Sequence, residues 1–482
     1  MASPRILSTL RELWQHGPGK AGLIMLGTLI LLSLFVIITY PAKFGTEHWA
    51  NPGLWADNPK SAPPAWVNPL SRTKRPKHLV FELGTPDEKT STRTTHKSIY
   101  IEDFTFSADL PPSFLSMSLS EVSYNRRPPI VTAILHRPDG GEIVLNRYVI
   151  AGPRRSEDAP YLRHDEEPLR TVMGSEERVI DDLIGHFSEV YSTEISRQSI
   201  RATPEAALFG TPLEGGNFEI LKGDYRLEVQ VLANHEEDTL GTLRLVVGGS
   251  LFGIMGTDAL GRDLARGLLY GLPIALLIGI ATATVSTFLG MSIGMVSGYV
   301  GGWVDVVIQR AADIVANVPV LPLLIFLVFI GGSRLWLILL VLVAFSWPGL
   351  TIMVRTMVLQ LRTGQEVESS RALGASGARI IYRHILPHAA SYILAQLVFF
   401  APSAILAEAG LSFLGLGDPT IPTWGQILEY GFKTGAVFLG YWWWVIPPGL
   451  LIVITAVTFM FLALGLEPVV DPRLRGRRSW HF

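Results

Sequence analysis

Residues 364–389 read GQEVESSRALGASGARIIYRHILPHA. They lie between two long apolar runs, 335–354 and 389–406, yet carry Glu366, Glu368, Arg371, Arg379 and Arg383, with Arg362 just before them. A charge costs about 2.5–3.5 kcal/mol at the centre of a bilayer, so the flanking runs read as membrane spans and the charged stretch must lie outside the membrane. Within it, 366–373 is rich in helix formers, Gly374 offers a permissive C-cap and Ser376 can cap a second helix. Pro387 then stops or kinks that helix before the next span. A short charged helix held between two spans suits the gripping of a cytoplasmic partner. An ordinary amphipathic loop is the competing reading on these grounds alone.

With 482 residues, the chain exceeds one ordinary soluble domain, so two parts are expected. The formal net charge of −2 gives no reason to expect nucleic acid. The absence of cysteine excludes disulfides, Cys-based zinc sites and thiol catalysis. His48, His78, His96, His136, His164, His186 and His235 are scattered without metal-ligand spacing, and no metal site is expected. Gly17-Pro-Gly-Lys20 lacks the upstream glycine and the following Ser or Thr of a phosphate-binding loop. No Ser-His-Asp or HExxH arrangement is legible either, so no catalytic residue is assigned.

Working outward, residues 1–20 are basic and 21–40 form an apolar run of spanning length without a small-x-small cleavage site after it. Basic residues ahead of the run place the N-terminus inside. Five more runs follow, at 272–296, 314–330, 335–354, 389–406 and 445–464, with Pro319 and Pro322 breaking the first turns of the second of these. Trp442, Trp443 and Trp444 read as an outer aromatic anchor, and the basic tail with Arg473, Arg475, Arg477 and Arg478 as cytoplasmic. Asp313, Arg355 and Glu408 stand at the ends of runs, and no ionisable residue sits at mid-depth, which argues for an energy source outside the bilayer.

Residues 41–250 hold no span. Residues 41–86, rich in Pro, Asn and Trp, are expected to lack regular structure and to lie along a surface, offering Trp49, Trp55 and Trp66 as contact anchors. Alternating runs at 98–106, 130–136, 142–149, 224–232 and 239–247 read as strands, with Pro138-Asp139-Gly140-Gly141 as a hairpin turn. Residues 175–191 place Val179, Leu183, Phe187 and Val190 at helical spacing, and Thr203-Pro204-Glu205 starts a second short helix. The expected product is a β-rich domain, of immunoglobulin-like sandwich kind, with a helical insertion. A docking or capping role is expected of it, against packing on a partner subunit or an inert insertion.

Glu368-Ser-Ser, then Gly374, then Ile385-Leu386-Pro387 resembles the EAA loop of ABC-importer permeases, with serines in place of two alanines. Arg371-Ala-Leu-Gly-Ala-Ser with Arg383-His-Ile-Leu-Pro is most similar to the dipeptide/oligopeptide type. Thr257, Asp258, Gly261, Arg262 and Asp263, with Tyr270-Gly271, resemble the family's GTDxxGRDxxSRxxYG string, although Ala265 stands where Ser is usual. Gly301-Gly302 with Asp305, Arg310 and Asp313 resembles its GGxxDxxxxRxxD, and 408–424, beginning at Glu408, its ESxLSFLGLGxxxPxPxWG, with Gly410 departing from Ser. Asp471-Pro-Arg-Leu-Arg475 resembles its DPRLR ending, although Gly465-Leu-Glu-Pro replaces the usual Gly-Asp-Gly ahead of it.

The resemblance implies an α-helical membrane protein with six transmembrane helices of type I ABC-importer kind, and a β-rich extracytoplasmic domain inserted between spans 1 and 2. The implied division is 1–40, 41–250, 251–465 with a coupling loop at 359–388, and a tail at 466–482. It implies that Glu366, Glu368, Ser369, Ser370, Arg371, Ala372, Leu373 and Gly374 couple to an ATPase. Thr257, Asp258, Gly261, Arg262, Asp263 and Glu408 would lie near the outer mouth. The implied partners are a second homologous permease, two ABC ATPase subunits carrying ATP and Mg, an extracytoplasmic solute-binding protein, a peptide substrate and the lipid bilayer of a prokaryotic inner membrane. Transport of nickel complexes or oligosaccharides, or a membrane-anchored ligand sensor, are the alternatives. The resemblance does not extend over most of 41–250.

Overall fold

The computed structural model describes residues 11–92, 95–155, 157–165 and 167–470. The tail expected to carry Asp471 to Arg478 lies outside them. Two compact units share the chain: one holds residues up to Asn51 and from Ala265 on, the other is Pro52–Leu264.

The first helix, α1 (Gly17–Thr39), starts with Pro18 in its first turn and stops at the extended Tyr40 ahead of Pro41. Its 23 residues rise about 35 Å, enough for a hydrocarbon core of about 30 Å.

In the second unit, alternating sequences become strands because every other side chain finds the same core. They are β1 (Leu79–Leu83), β2 (Glu88–Ser91), β3 (His96–Phe106), β4 (Phe114–Tyr124), β5 (Ile130–His136), β6 (Glu142–Val149), β7 (Tyr161–Arg163), β8 (Leu169–Met173), β9 (Gly210–Pro212), β10 (Phe218–Ile220), β11 (Gly223–Ala233) and β12 (Thr239–Gly248). One antiparallel sheet runs β1-β12-β4, with β7 and β8 both on β4; the other runs β2-β3-β11-β5-β6; β9 and β10 pair separately. In the first sheet Leu245 stands opposite Phe81 and Met117, and in the second Val229 stands opposite Tyr100 and Ala133. Leu115, Met117, Leu119, Leu243 and Leu245 from one sheet and Val131, Ala133, Leu135, Leu227 and Val229 from the other join a single core, so the unit is a sandwich. Three helices close it: α2 (Glu177–Tyr191), α3 (Arg197–Ala202) and α4 (Pro204–Leu208). The helix α2 buries Val179, Ile180, Leu183 and Phe187, while Val190, expected on that face, is half exposed.

The hairpin turn between β5 and β6 aims Arg137 and Asp139 into this core. Their side chains are almost wholly buried, with Nη2 and Oδ2 2.8 Å apart. Arg137 also donates to the carbonyls of Ala207, Leu208 and Gly210 at 2.9, 2.6 and 2.8 Å, which caps the end of α4. Tyr191 donates to Asp139 at 2.9 Å, and His186 stands 3.2 Å from the same oxygen. Burial alone would push the Asp139 carboxyl up, but Arg137, His186 and Tyr191 outweigh it and hold the group well below the carboxylate range. The stabilisation is therefore complete above the unfolded carboxyl's ordinary pKa and is lost as pH falls toward the depressed folded one.

The other unit is helical: α5 (Leu264–Val300), α6 (Gly302–Asn317), α7 (Val320–Gly331), α8 (Leu335–Leu361), α9 (Gln365–Ala372), α10 (Gly377–Ile380), α11 (Leu386–Phe413), α12 (Trp424–Lys433) and α13 (Trp442–Val470). Among the described residues, five helices are long and apolar enough to cross a membrane, and α6 with α7, bent by 77°, makes a sixth if the pair is one span. The continuous span expected at 314–330 is thus divided: Val318 and Pro319 leave the helix, because the proline has no N–H to give. α1 and α13 touch through small residues; a Cβ on Gly22 would come 2.7 Å from the Leu462 nitrogen.

Two aromatic expectations change. Residues 41–86 contain a π-turn (Phe44–Trp49), a helical turn (Pro52–Trp55), a 3-10 turn (Ala65–Leu70) and β1. Trp49 and Trp55 are buried and so do not serve as exposed contact anchors; of the three, only Trp66 faces solvent. Trp443 and Trp444 are buried too, with Trp444 donating to the Ile427 carbonyl at 3.1 Å, so packing rather than interfacial anchoring holds them.

Replacing Arg137 with Ala strands a buried carboxylate and should cost the sandwich unit about 3–5 kcal/mol. Hydrogen exchange of the detergent-solubilised full chain should then show α2, α4 and the β5–β6 hairpin exchanging together and faster, with α8 unchanged. Unaltered protection of these elements would contradict the assignment.

Candidate functional site

The helix α9 begins at the extended Gly364, with Glu366 and Glu368 in its first turn and Arg371 in its last, charges that complement the helix dipole. It ends on paired hydrogen bonds: Ala375 N to Ser370 O and Gly374 N to Arg371 O, each 3.0 Å. This closure needs a left-handed residue, and Gly374 has φ +79°. Ser376 then caps α10 by accepting from the Arg379 N–H at 3.4 Å. Pro387 lies in the first turn of α11, where no donor is needed, after a π-turn at Ile381–Ile385.

This loop has a buried side and an open one. Val367, Ile380 and Ile385 enter a core with Met295 of α5, Val354 and Val358 of α8, and Ala389 and Ile393 of α11. Glu366, Glu368, Ser369, Arg371, Ala372 and Gly374 are exposed, as is Leu373 at 88%. Ser370 is half-buried, its hydroxyl 3.0 Å from His384 Nε2. The Arg371 guanidinium lies 5.9 Å from the centre of the Tyr299 ring, which ties the loop to the end of α5.

Beneath the loop, α5 and α8 touch backbone to side chain. A Cβ on Gly294 would meet the Thr351 carbonyl at 2.7 Å and Val354 Cβ at 2.9 Å, and one on Gly298 the Val358 Cβ at 2.7 Å. Thr351 donates to the Gly290 carbonyl at 3.1 Å, and Arg362 to that of Gly298 at 3.1 Å. Asp305 of α6 takes Arg355 of α8 in a two-point contact at 2.5 and 2.6 Å and accepts from Ser297 of α5 at 2.5 Å. Three helices are joined there by one carboxylate. In the sequence Arg355 stands out as a charge at the end of an apolar run and Asp305 as part of the GGxxDxxxxRxxD-like string. The sequence alone does not pair them, nor does the four-residue spacing of Gly290, Gly294 and Gly298 name the helix it receives.

The other motif residues divide between the two units. Thr257, buried, accepts from Ala62 N at 2.9 Å and donates to Pro59 O at 2.6 Å, and bridges to Asp263. Asp258 accepts from the N–H groups of Leu260 and Arg262, each at 2.9 Å, and from Arg262 Nε at 2.5 Å. Burial pushes its carboxyl up, against the pull of Arg262. Gly261, at φ +81°, leaves no room for a Cβ, which would fall 2.8 Å from the Trp55 carbonyl. The string is a clasp that fastens residues 55–62 to the C-terminal end of the sandwich unit. Glu408 belongs to the helical unit, buried in α11 and accepting from Ser412 at 2.6 Å. Nearby, Trp424 donates to the Leu268 carbonyl at 3.0 Å and seats α12 on α5. Among the described residues no group of three His, Cys, Asp or Glu side chains is placed to hold a metal ion.

Residues 290–476 match the family described as binding-protein-dependent transport system inner membrane component. The dipeptide transport system permease of Bacillus subtilis is 35% identical over 221 residues, covering 46% of this chain and 68% of that one. A Brucella ovis protein named as a peptide permease is 35% identical over 170 residues, covering 35% of this chain and 56% of that one, so the match spans little more than half of that relative. Among solved structures, the inward-facing MetNI methionine ABC transporter is 22% identical, covering 42% of this chain and 97% of that one, with a TM-score of 0.33 that is too low to bear on the fold.

Removing the shared carboxylate with Asp305→Ala should cost about 1–3 kcal/mol of local stability. Amide exchange in the detergent-solubilised chain should speed up at the end of α8 and through α9, and the charge-retaining Asp305→Glu should restore part of it. Equal exchange in wild type and Asp305→Ala would refute the clamp.

Proposed function

The chain belongs to the binding-protein-dependent transport system inner membrane components, and from that premise we propose that it is the permease subunit of an ATP-driven importer of peptides. The observation that carries this reading is α9, a short charged helix with one face seated on α5, α8 and α11 and the other open, ending in an exposed leucine. Such a face suits a protein partner: Leu373 supplies apolar area, while Glu366, Glu368 and Arg371 supply charges whose pairing fixes register. The partners are two ABC ATPase subunits, which carry ATP and Mg, docking on 366–374 from the cytoplasm. A second homologous permease completes the translocation path, and an extracytoplasmic solute-binding protein delivers the substrate. Peptide as substrate is supported by the names of the relatives from Bacillus and Brucella. This chain supplies no catalytic group.

In the proposed cycle, closure of the ATPase pair displaces α9. Because its seat includes α5 and α8, the displacement tilts those spans as a body and alternates access to the path. The bent α6–α7 pair counts as one span, giving six, with both termini cytoplasmic and the sandwich outside.

Gly374 is the joint of this lever. A β-branched residue at φ +79° costs about 1–3 kcal/mol of backbone strain, although a Cβ there meets nothing. In proteoliposomes holding the full transporter, Gly374→Val should keep basal ATP hydrolysis and lose most uptake, whereas Gly374→Asn, which tolerates this angle, should retain uptake. Wild-type uptake and stimulated hydrolysis in Gly374→Val would reject α9 as the coupling element.

A further inference from the structure

Four backbone hydrogen bonds lace residues 62–76 to residues 250–257 within the outer unit. Ser250 N donates to Pro76 O and Phe252 N to Pro63 O at 3.0 Å each, Ala65 N to Gly253 O at 2.9 Å, and Thr257 N to Ala62 O at 2.8 Å. The Trp66 indole adds a fifth bond, to the Ile254 carbonyl at 2.9 Å. A face laced in this way is fixed in shape, yet it turns large apolar groups to solvent: Leu70 is 79% exposed, Ile254 70% and Trp66 50%. Beside them opens a cavity of about 680 Å³ lined by Leu251, Phe252, Lys74 and Lys77 among others, with no carboxylate among its lining residues. Asp109, whose carboxylate meets the Lys74 backbone N–H at 2.7 Å, is paired with Lys222 at 2.5 Å.

Connectivity limits what such a face can meet. Ile254 precedes the start of α5 at Leu264 by ten residues, a reach of at most about 35 Å. The helix α5 is long and apolar enough to cross the membrane. Tryptophan and long aliphatic side chains beside lysines form the pattern that settles at a headgroup boundary, with the apolar groups at acyl depth and the cations on phosphates.

We propose that this face rests on the outer leaflet of the bilayer, with Trp66, Leu70 and Ile254 at the headgroup–acyl boundary and Lys74 and Lys77 on the phosphates of anionic lipid. The proposal rests on α5 crossing the membrane and on the sandwich lying outside, as proposed above, and not on what the protein transports. It gives the sandwich a fixed footing on the lipid surface, at a site separate from the ATPase-facing loop.

The absence of cysteine makes the test direct. Single cysteines at Leu70, Ile254 and, as a control in β6 of the same unit, the exposed Val149 are labelled with a fluorophore. The full chain is then placed in nanodiscs of phosphatidylcholine, with or without phosphatidylglycerol, that carry a lipid-borne quencher. Labels at 70 and 254 should be quenched several-fold more than the label at 149, more so with the anionic lipid. Lys74→Glu combined with Lys77→Glu should abolish the anionic increment without altering the control. Quenching at 70 and 254 no greater than at 149 would overturn the proposal. Protection from an aqueous quencher without lipid quenching would also overturn it, since a protein would then cover the face. An anionic increment that survives the lysine reversal would remove the headgroup contact.

Discussion

The close approach of α5 and α8 is the constraint on which the helical unit depends. Lipid tails are as apolar as leucine, so two spans gain nothing from hiding apolar surface from each other and must be held by packing and polar contacts. Gly290, Gly294 and Gly298 remove the side chains that would keep the backbones apart, and Leu350, Thr351, Val354 and Val358 occupy the space. The Thr351 and Arg362 bonds to α5 carbonyls can form because the helices are already this close. Asp305 then binds α6 into the same unit through Arg355 and Ser297. The polar cost of placing these charges at the end of the bundle is met by three donors on one carboxylate.

The placement of α9 follows from this base. A helix of eight residues is too short to persist alone in water. It persists here because Gly364 and Gly374 close its ends and because Val367, with Ile380 and Ile385 from the following turns, enters the core over α5 and α8. The exposed face is therefore rigid without being packed, which is what a docking element requires. The sandwich unit solves a different problem, burying one core between two antiparallel sheets and using a buried Arg137–Asp139 pair to fasten its helices to its hairpin.

Much of this was legible in the sequence where local chemistry decides the outcome. The limits of β5 and β6 are those of the runs read on either side of Pro138-Asp139-Gly140-Gly141. The left-handed turn at Gly374 follows from the one residue that adopts it without strain. Tertiary partnership was not legible. Residues 114–124 alternate serine with apolar residues and form β4, the strand next to β12, yet their small polar residues resemble a loop when read singly. The tryptophans of the 41–86 segment read as surface anchors, because nothing local reveals that Gly267 leaves a space for Trp49. The partner of Asp305 lies 50 residues away, and only the folded chain shows that the charge at the start of α6 meets the one near the end of α8.

The account stands on α9 being the element that an ATPase grips. A cysteine at Leu373, the most exposed apolar residue of the loop at 88%, in a chain otherwise free of cysteine, tests this directly in membranes that hold the assembled transporter. With a short bifunctional reagent it should cross-link to the ATPase subunit, and the yield should change between nucleotide-free and ATP-bound states. Absence of a cross-link from Leu373→Cys in both states, with the subunits still co-purifying, would contradict the account.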